Sequence, residues 1–217
     1  MYTLVLSNID APLEKICKKL KNYGFKGIFI IKDKIEKKEK ISEKIDNIFI
    51  LKGIYMHVSK LKELKKLKKL NKGVITVFTN ELKVGVNICK MGLADFIYLE
   101  NYFLSYTMIK YMKENRVSLL IFIDEIIESI INKDTKRLNF VLKIIKLIKK
   151  YNLYFILGFR KLENILHNEV LLSFCELNGI DRGICKKKFS EIFNAIKYRE
   201  ENRDRIILPG AEIIKNE

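Results

Sequence analysis

Apolar residues recur along this chain in two rhythms. Short runs of consecutive apolar, often β-branched residues read as strands: TLVLS (3–7), GIFII (27–31), IFILKGIYMHV (48–58), VITVF (74–78), VGVNI (84–88), DFIYL (95–99), VSLLIFID (117–124) and LYFILG (153–158). Lysine-coated stretches with three-to-four-residue apolar spacing separate most of them and read as helices. LEKICKKLKNYG (13–24) follows Asp10-Ala11-Pro12, a cap with Pro at the first helical position, and stops at Gly24. In KLKELKKLKKLNKG (60–73), Leu61, Leu64, Leu67 and Leu70 line one face, with Gly73 as a stop. TKRLNFVLKIIKLIKKYN (135–152) places Leu138, Val141, Leu142, Ile145 and Ile148 on one side. YFLSYTMIKYMKENR (102–116) and segments around 162–177 and 181–200 are further helices, and IEKKEKISEKI (35–45) is a polar helix or loop.

Strands apolar throughout, each followed by an amphipathic helix, are what a mostly parallel sheet covered by helices requires. The expected fold is α/β, and closure into a distorted TIM-like (β/α) barrel accommodates about seven or eight such units while removing every sheet edge. An open doubly wound sheet is the alternative, although the G-x-G-x-x-G fingerprint of dinucleotide folds is absent. Neither a repeat nor a linker interrupts the pattern, so residues 1–217 are expected to form a single domain. Its last element, 202–217, runs Arg203-Asp204-Arg205, three apolar residues, Pro209-Gly210 and Ala-Glu-Ile-Ile. It reads as an edge element turned at Pro209-Gly210 and packed on the domain, holding Arg203 and Arg205 at its rim.

Composition adds a charge. Forty-two Lys+Arg against twenty-six Asp+Glu leave +16 at neutral pH, a field that attracts polyanions such as nucleic acid. A Lys-, Ile- and Glu-rich composition of this kind also fits a proteome-wide habit of a heat-adapted organism. Four cysteines, at 17, 89, 175 and 185, lack metal or disulfide spacing and read as apolar fillers in a reducing compartment. The N-terminus does not have the pattern of a signal peptide and no apolar run reaches membrane-spanning length, so a soluble cytoplasmic protein with no membrane contact is expected.

In a βα barrel the polar residues after the strands face the usual active-site mouth. Asp10, His57, Glu100, Asp124 with Glu125, and Arg160 occupy those positions. Carboxylates with a histidine can hold a divalent metal, and Asp10, His57, Glu100 and Asp124 are the set a metal-dependent phosphoesterase would use. Against that reading, the chain has two histidines, His57 and His167, at no ligand spacing. Asp10 and Asp124 read more simply as helix caps, and His57 as a surface residue. Nucleophile-elbow, phosphate-loop and Cys-His signatures are missing. Cationic stretches at 64–72, 142–152 and 185–189, with Arg199, Arg203 and Arg205, offer surfaces for structured RNA. Each is equally the solvated face of an amphipathic helix. Arg203 and Arg205 stand out because a planar guanidinium suits phosphate or a buried carboxylate, and these two stand where the chain returns to apolar residues.

The ending RDRIILPGAEIIKNE resembles the C-terminus of the archaeal ribonuclease P protein component 3 family, which is related to the thirty-kilodalton subunit of the human enzyme. Gly210, Glu212, Ile213 and Ile214 match its closing pattern. LEKICKKLKNYGFKGIFI (13–30), DFIYLENY (95–102) and LLIFIDEIIESIINKDTKRLNFVLKIIKLIKKYNLYFIL (119–157) are similar to its other segments, in the same order. The sequence departs from the family at Gly158-Phe159-Arg160-Lys161, where a polar or Ser-Gly-Ala step is usual. It departs again in LENILHNEVLL (162–172), which lacks an arginine at the helix start.

The resemblance implies a TIM-like barrel related to the polymerase-and-histidinol-phosphatase hydrolases, with the metal residues largely gone. It further implies a non-catalytic subunit of ribonuclease P, in which RNA carries the chemistry of precursor-tRNA 5′ maturation. The protein is then expected to bind no cofactor, the magnesium being needed by the RNA. Expected partners are the catalytic RNA, a second small protein subunit and, indirectly, precursor tRNA. Contacts to RNA or to the assembly are expected from Arg160, Arg199, Arg203 and Arg205, with Lys186, Lys187 and Lys188 contributing charge. A metal-dependent phosphoesterase, or a barrel interaction protein outside that complex, stand as the alternatives.

Overall fold

The computed structural model describes residues 5–7, 11–35, 39–70, 73–100, 103–203, 206–208 and 211–212. Strands β1 (Val5–Ser7), β2 (Gly27–Lys32), β3 (Ser42–Ile45), β4 (Ile48–His57), β5 (Val74–Thr79), β6 (Phe96–Leu99), β7 (Ser118–Phe122) and β8 (Phe155–Phe159) form one sheet. Its pairings return on themselves. β1 lies parallel to both β2 and β8, β2 lies parallel to β4, and β4 through β8 follow in sequence order. Among the described residues this makes a ring of parallel strands with β3 as an antiparallel appendage on β4: a distorted TIM-like (β/α) barrel. Four consecutive residues of β6 and five each of β7 and β8 are buried, as strands covered on both faces must be.

β4 changes partner halfway along. Its first half pairs with β3 and its second with β5, and the exchange falls at Gly53, opposite Val74. A Cβ there would lie 2.3 Å from the Val74 carbonyl oxygen, so only glycine lets the two backbones approach. Helices α1 (Leu13–Asn22), α2 (Leu64–Leu67), α3 (Leu82–Lys90), α4 (Tyr106–Glu114), α5 (Ile123–Ile131), α6 (Thr135–Tyr151) and α7 (Asn168–Leu177) fill the connections. The twenty-residue α8 (Arg182–Glu201) instead crosses the ends where the strands begin. From it Phe189 stacks edge-on against Phe155, and Phe193 reaches Phe29, Phe49 and the space over Gly27. Phe193 is fully buried and stoppers the barrel, so truncating it to alanine should cost about 3–5 kcal/mol.

Three sequence expectations change. VGVNI is the middle of α3, with Val84, Gly85, Ile88 and Cys89 buried on one helical face. β5 and β6 are parallel neighbours and need a crossover, which only residues 80–95 can supply. The segment 35–45 ends in strand β3, turned back at Asp46-Asn47, where both residues have positive φ (50° and 68°). Of residues 60–73, those described form a 3-10 turn (Leu61–Glu63) and the single-turn α2. Leu64 and Leu67 are buried while Leu61 is exposed, too narrow a stripe among lysines to sustain a longer helix. At the C-terminus, strands β9 (Ile206–Leu208) and β10 (Ala211–Glu212) pair antiparallel. Pro209-Gly210, where the sequence suggests the turn, lies outside the described residues, as do Asp10 and Arg205.

Candidate functional site

The mouth formed by the strand C-termini is filled. Aromatic side chains on the successive strands β4 to β7 meet as a chain. Tyr55 stacks on Phe78 with ring centroids 5.0 Å apart, Phe78 meets Tyr98 at 5.2 Å, and Phe122 touches both. Arg160, just after β8, lays its guanidinium 4.0 Å from the Phe122 ring centroid and 5.2 Å from that of Tyr98. Beneath it Glu125, 2% exposed, receives Arg160 Nη1 at 2.8 Å, Arg137 Nη2 at 3.2 Å and the Tyr98 hydroxyl. This is a buried carboxylate satisfied by two cations and a phenol, a lock between β6, β8, α5 and α6 rather than an open catalytic cleft.

The set suggested for a metal divides between separate places. His57 Nδ1 stands 3.1 Å from Glu100 Oε1 at the exposed rim. Asp124 is no helix cap: it is the second residue of α5 and is buried. Its oxygens accept from the Arg160 backbone N–H (2.7 Å) and Asn164 Nδ2 (2.7 Å), tying the start of α5 to the loop after β8. Among the described residues no three or more His, Cys, Asp or Glu side chains gather as a metal ion would need. His167 caps α7 by accepting from the Glu169 N–H.

The opposite face, where α8 crosses the strand N-termini, collects the other predicted residues. Arg199 grips Asp95 with both terminal nitrogens (2.5 and 3.0 Å) and Glu200 with Nε at 3.0 Å. Glu200 also accepts from the Gly73 N–H and from Arg203, and Asp95 accepts from the Ile75 N–H at 2.8 Å. Burial disfavours the charge on Arg199, but the two carboxylates outweigh it and hold its pKa above the usual value. Lys188 is buried and donates to the Leu153 carbonyl at 2.7 Å; burial pulls its pKa below the ordinary lysine value. Lys187 stays largely exposed, 3.9 Å from Glu191, and Lys186 lies beside it on α8.

The structure therefore brings Arg199 and Arg203 into one network, sets Lys186 to Lys188 on the same helix, and places Arg160 at the other end of the barrel. Sequence reasoning did not find Asp95, Glu200 or Arg137. Their partners are distant in sequence (Arg199 and Asp95 are 104 residues apart), and no local spacing announces such pairs. The one local hint was the adjacency of two acidic residues, Asp124 and Glu125, at the end of an apolar strand.

Two cavities open beside α8. One, of about 240 Å³, has Ala94, Ile192 and Ala195 among its apolar walls and Asp95, Arg116 and Arg199 at its edge. The other, of about 390 Å³, is lined by Lys113, Lys187 and Lys188 with Glu191. Tyr154 and Glu191 belong to both, so the two adjoin. No helix among the described residues is long and apolar enough to cross a membrane.

Compared with known proteins, the chain matches no family model and no curated protein sequence. It does match a chain of the cryo-EM structure of archaeal ribonuclease P with mature tRNA. That match covers 99% of each chain at a TM-score of 0.73 and 16% identity. At that identity the likeness establishes a shared fold over the whole length. A second solved structure, Yersinia pestis DHPS with a pterine-sulfa conjugate, aligns with 11% identity over 89% of this chain at a TM-score of only 0.26, and carries no argument.

Proposed function

We propose that this protein is a non-catalytic subunit of ribonuclease P, of the component 3 type, supporting RNA-based 5′ maturation of precursor tRNA. The observation that carries the reading is the end-to-end likeness to a chain of an archaeal ribonuclease P structure. A mouth occupied by the Arg160–Glu125–Arg137 lock fits a barrel used as a scaffold, and the net charge of +16 suits a polyanionic partner. On this reading the catalytic RNA and a second small protein are direct partners, precursor tRNA is met indirectly, and magnesium serves the RNA. On the same reading the protein works in the cytoplasm as one domain.

Within the scaffold, Lys186 and Lys187 on α8 supply long-range attraction. Arg160 and Arg199 stay partly exposed while they hold carboxylates; Arg203, Arg205 and the buried Lys188 complete the set. Affinity for the catalytic RNA, measured against salt, should fall with a log–log slope of about −3 or steeper, as neutralising several phosphates requires. Salt-independent or undetectable binding would refute the proposal.

A further inference from the structure

The two adjoining cavities beside α8 together combine apolar surface with cations. The 240 Å³ cavity has one apolar wall, from Ala94, Ile192, Ala195 and Ile196, beside polar and charged groups, and three lysines line the 390 Å³ cavity. Across both linings five cations (Lys113, Arg116, Lys187, Lys188 and Arg199) face two carboxylates, Asp95 and Glu191. Both carboxylates are engaged: Asp95 by Arg199, and Glu191 by the Tyr154 hydroxyl at 3.1 Å and by Lys187. Tyr154 stands where the two cavities meet, with Lys188 Nζ 5.8 Å from its ring centroid.

Arg116 holds the rim in an unusual way. It follows α4 with φ +53°, a left-handed conformation that a β-carbon disfavours and that glycine or asparagine would adopt more cheaply. The preceding Asn115 anchors the turn by donating to the Cys89 and Lys90 carbonyls. An arginine kept at such a position, exposed and beside a trough of lysines, is fixed where a polyanion would pass.

We propose that this groove binds an unpaired stretch of RNA, one base entering the 240 Å³ cavity against its apolar wall next to Tyr154 and the adjoining phosphates lying along Lys113, Arg116 and Lys187. Shape favours a single strand, because a duplex presents no free base to the cavity, and single strands are held by a charged track joined to an aromatic platform. The proposal rests on the ribonuclease P reading only in taking RNA as the polyanion.

The test uses the full-length protein and two fluorescein-labelled probes: an oligoadenylate of about ten nucleotides and a blunt RNA duplex of about the same length. Ala195 is exposed on α8 and walls the 240 Å³ cavity, so Ala195→Phe fills the cavity without touching the core. It should weaken oligoadenylate binding by about tenfold, the worth of one held base, and leave duplex binding unchanged. The double variant Arg116→Glu/Lys187→Glu should weaken both probes and reduce the salt slope by about two. Oligoadenylate binding indifferent to Ala195→Phe in a folded variant overturns the proposal. So does competition by a glutamate-rich peptide at lower concentration than RNA, which would assign the groove to an acidic protein segment. If the variants have no effect on oligoadenylate while the chain still stimulates ribonuclease P, the groove assignment alone fails. If the groove binds oligoadenylate as described but no stimulation occurs, the ribonuclease P reading alone fails.

Discussion

Replacing Arg199 with methionine separates a structural arginine from one that serves RNA alone. In the folded protein Arg199 neutralises Asp95 and Glu200, whose side chains are 10% and 3% exposed. After substitution Glu200 keeps Arg203 and the Gly73 N–H, whereas Asp95 keeps only the Ile75 N–H. One nearly buried carboxylate is thus left without its cation. Breaking a buried pair in this way costs about 3–5 kcal/mol, and the partial exposure of Arg199 places this case near 3 kcal/mol. At roughly 2–4 °C per kcal/mol for a chain of this size, Tm should fall by about 6–12 °C. Urea unfolding followed by circular dichroism measures the loss. Adding Asp95→Asn removes the stranded charge and should recover about 1–2 kcal/mol of it. A single variant within about 0.5 kcal/mol of the parent, or a double variant that adds the two losses, would refute the reasoning.

Other expectations follow from the same geometry. Glu125→Gln should destabilise by about 2 kcal/mol in urea unfolding, less than a fully buried pair because Arg137 and Arg160 are 40% and 37% exposed and can turn to water; unchanged stability would contradict the lock. Glu39 is held below its usual 4.5: burial acts to raise it, but hydrogen bonds from Lys52 and Lys32 outweigh that. Its contribution is therefore present above pH 4.5 and lost as pH falls through the lowered folded value, so Glu39→Gln should flatten that part of the acid limb of the stability profile. The cysteine thiols are buried, and burial pushes Cys17 up to about 11 and Cys89 to about 12. A thiol reagent at pH 8 should react with all four only on unfolding, and rapid native labelling of Cys89 would count against the packing of α3.

The barrel was legible because its strands are buried on both faces and so appear as unbroken apolar runs, as in VSLLIFID and LYFILG. α3 was misread as a strand because VGVNI is apolar and too short to show a period. What decides its state is the need for a crossover between parallel β5 and β6. β3 was hidden because its residues, Ser-Glu-Lys-Ile, gain their apolar contacts only through pairing with β4. Of the candidate residues, sequence singled out Arg203 and Arg205 as guanidinium groups suited to phosphate or carboxylate, and offered Arg160 and Arg199 as RNA or assembly contacts. The carboxylates that Arg160 and Arg199 hold, Glu125 and Asp95, emerge only when the barrel brings distant segments together. Lys188 looked like its neighbours in the run CKKKF, yet it faces inward while Lys187 faces out, a consequence of helical phase against β8.

The central claim is tested most directly by reconstitution. Catalytic RNA, the remaining protein subunits and precursor tRNA are combined at limiting magnesium, with and without this chain, and 5′ cleavage is followed over time. The account predicts faster cleavage when the chain is present, with the gain reduced in the Arg116→Glu/Lys187→Glu variant. Cleavage unchanged by the folded parent protein, with every other component present, would contradict it.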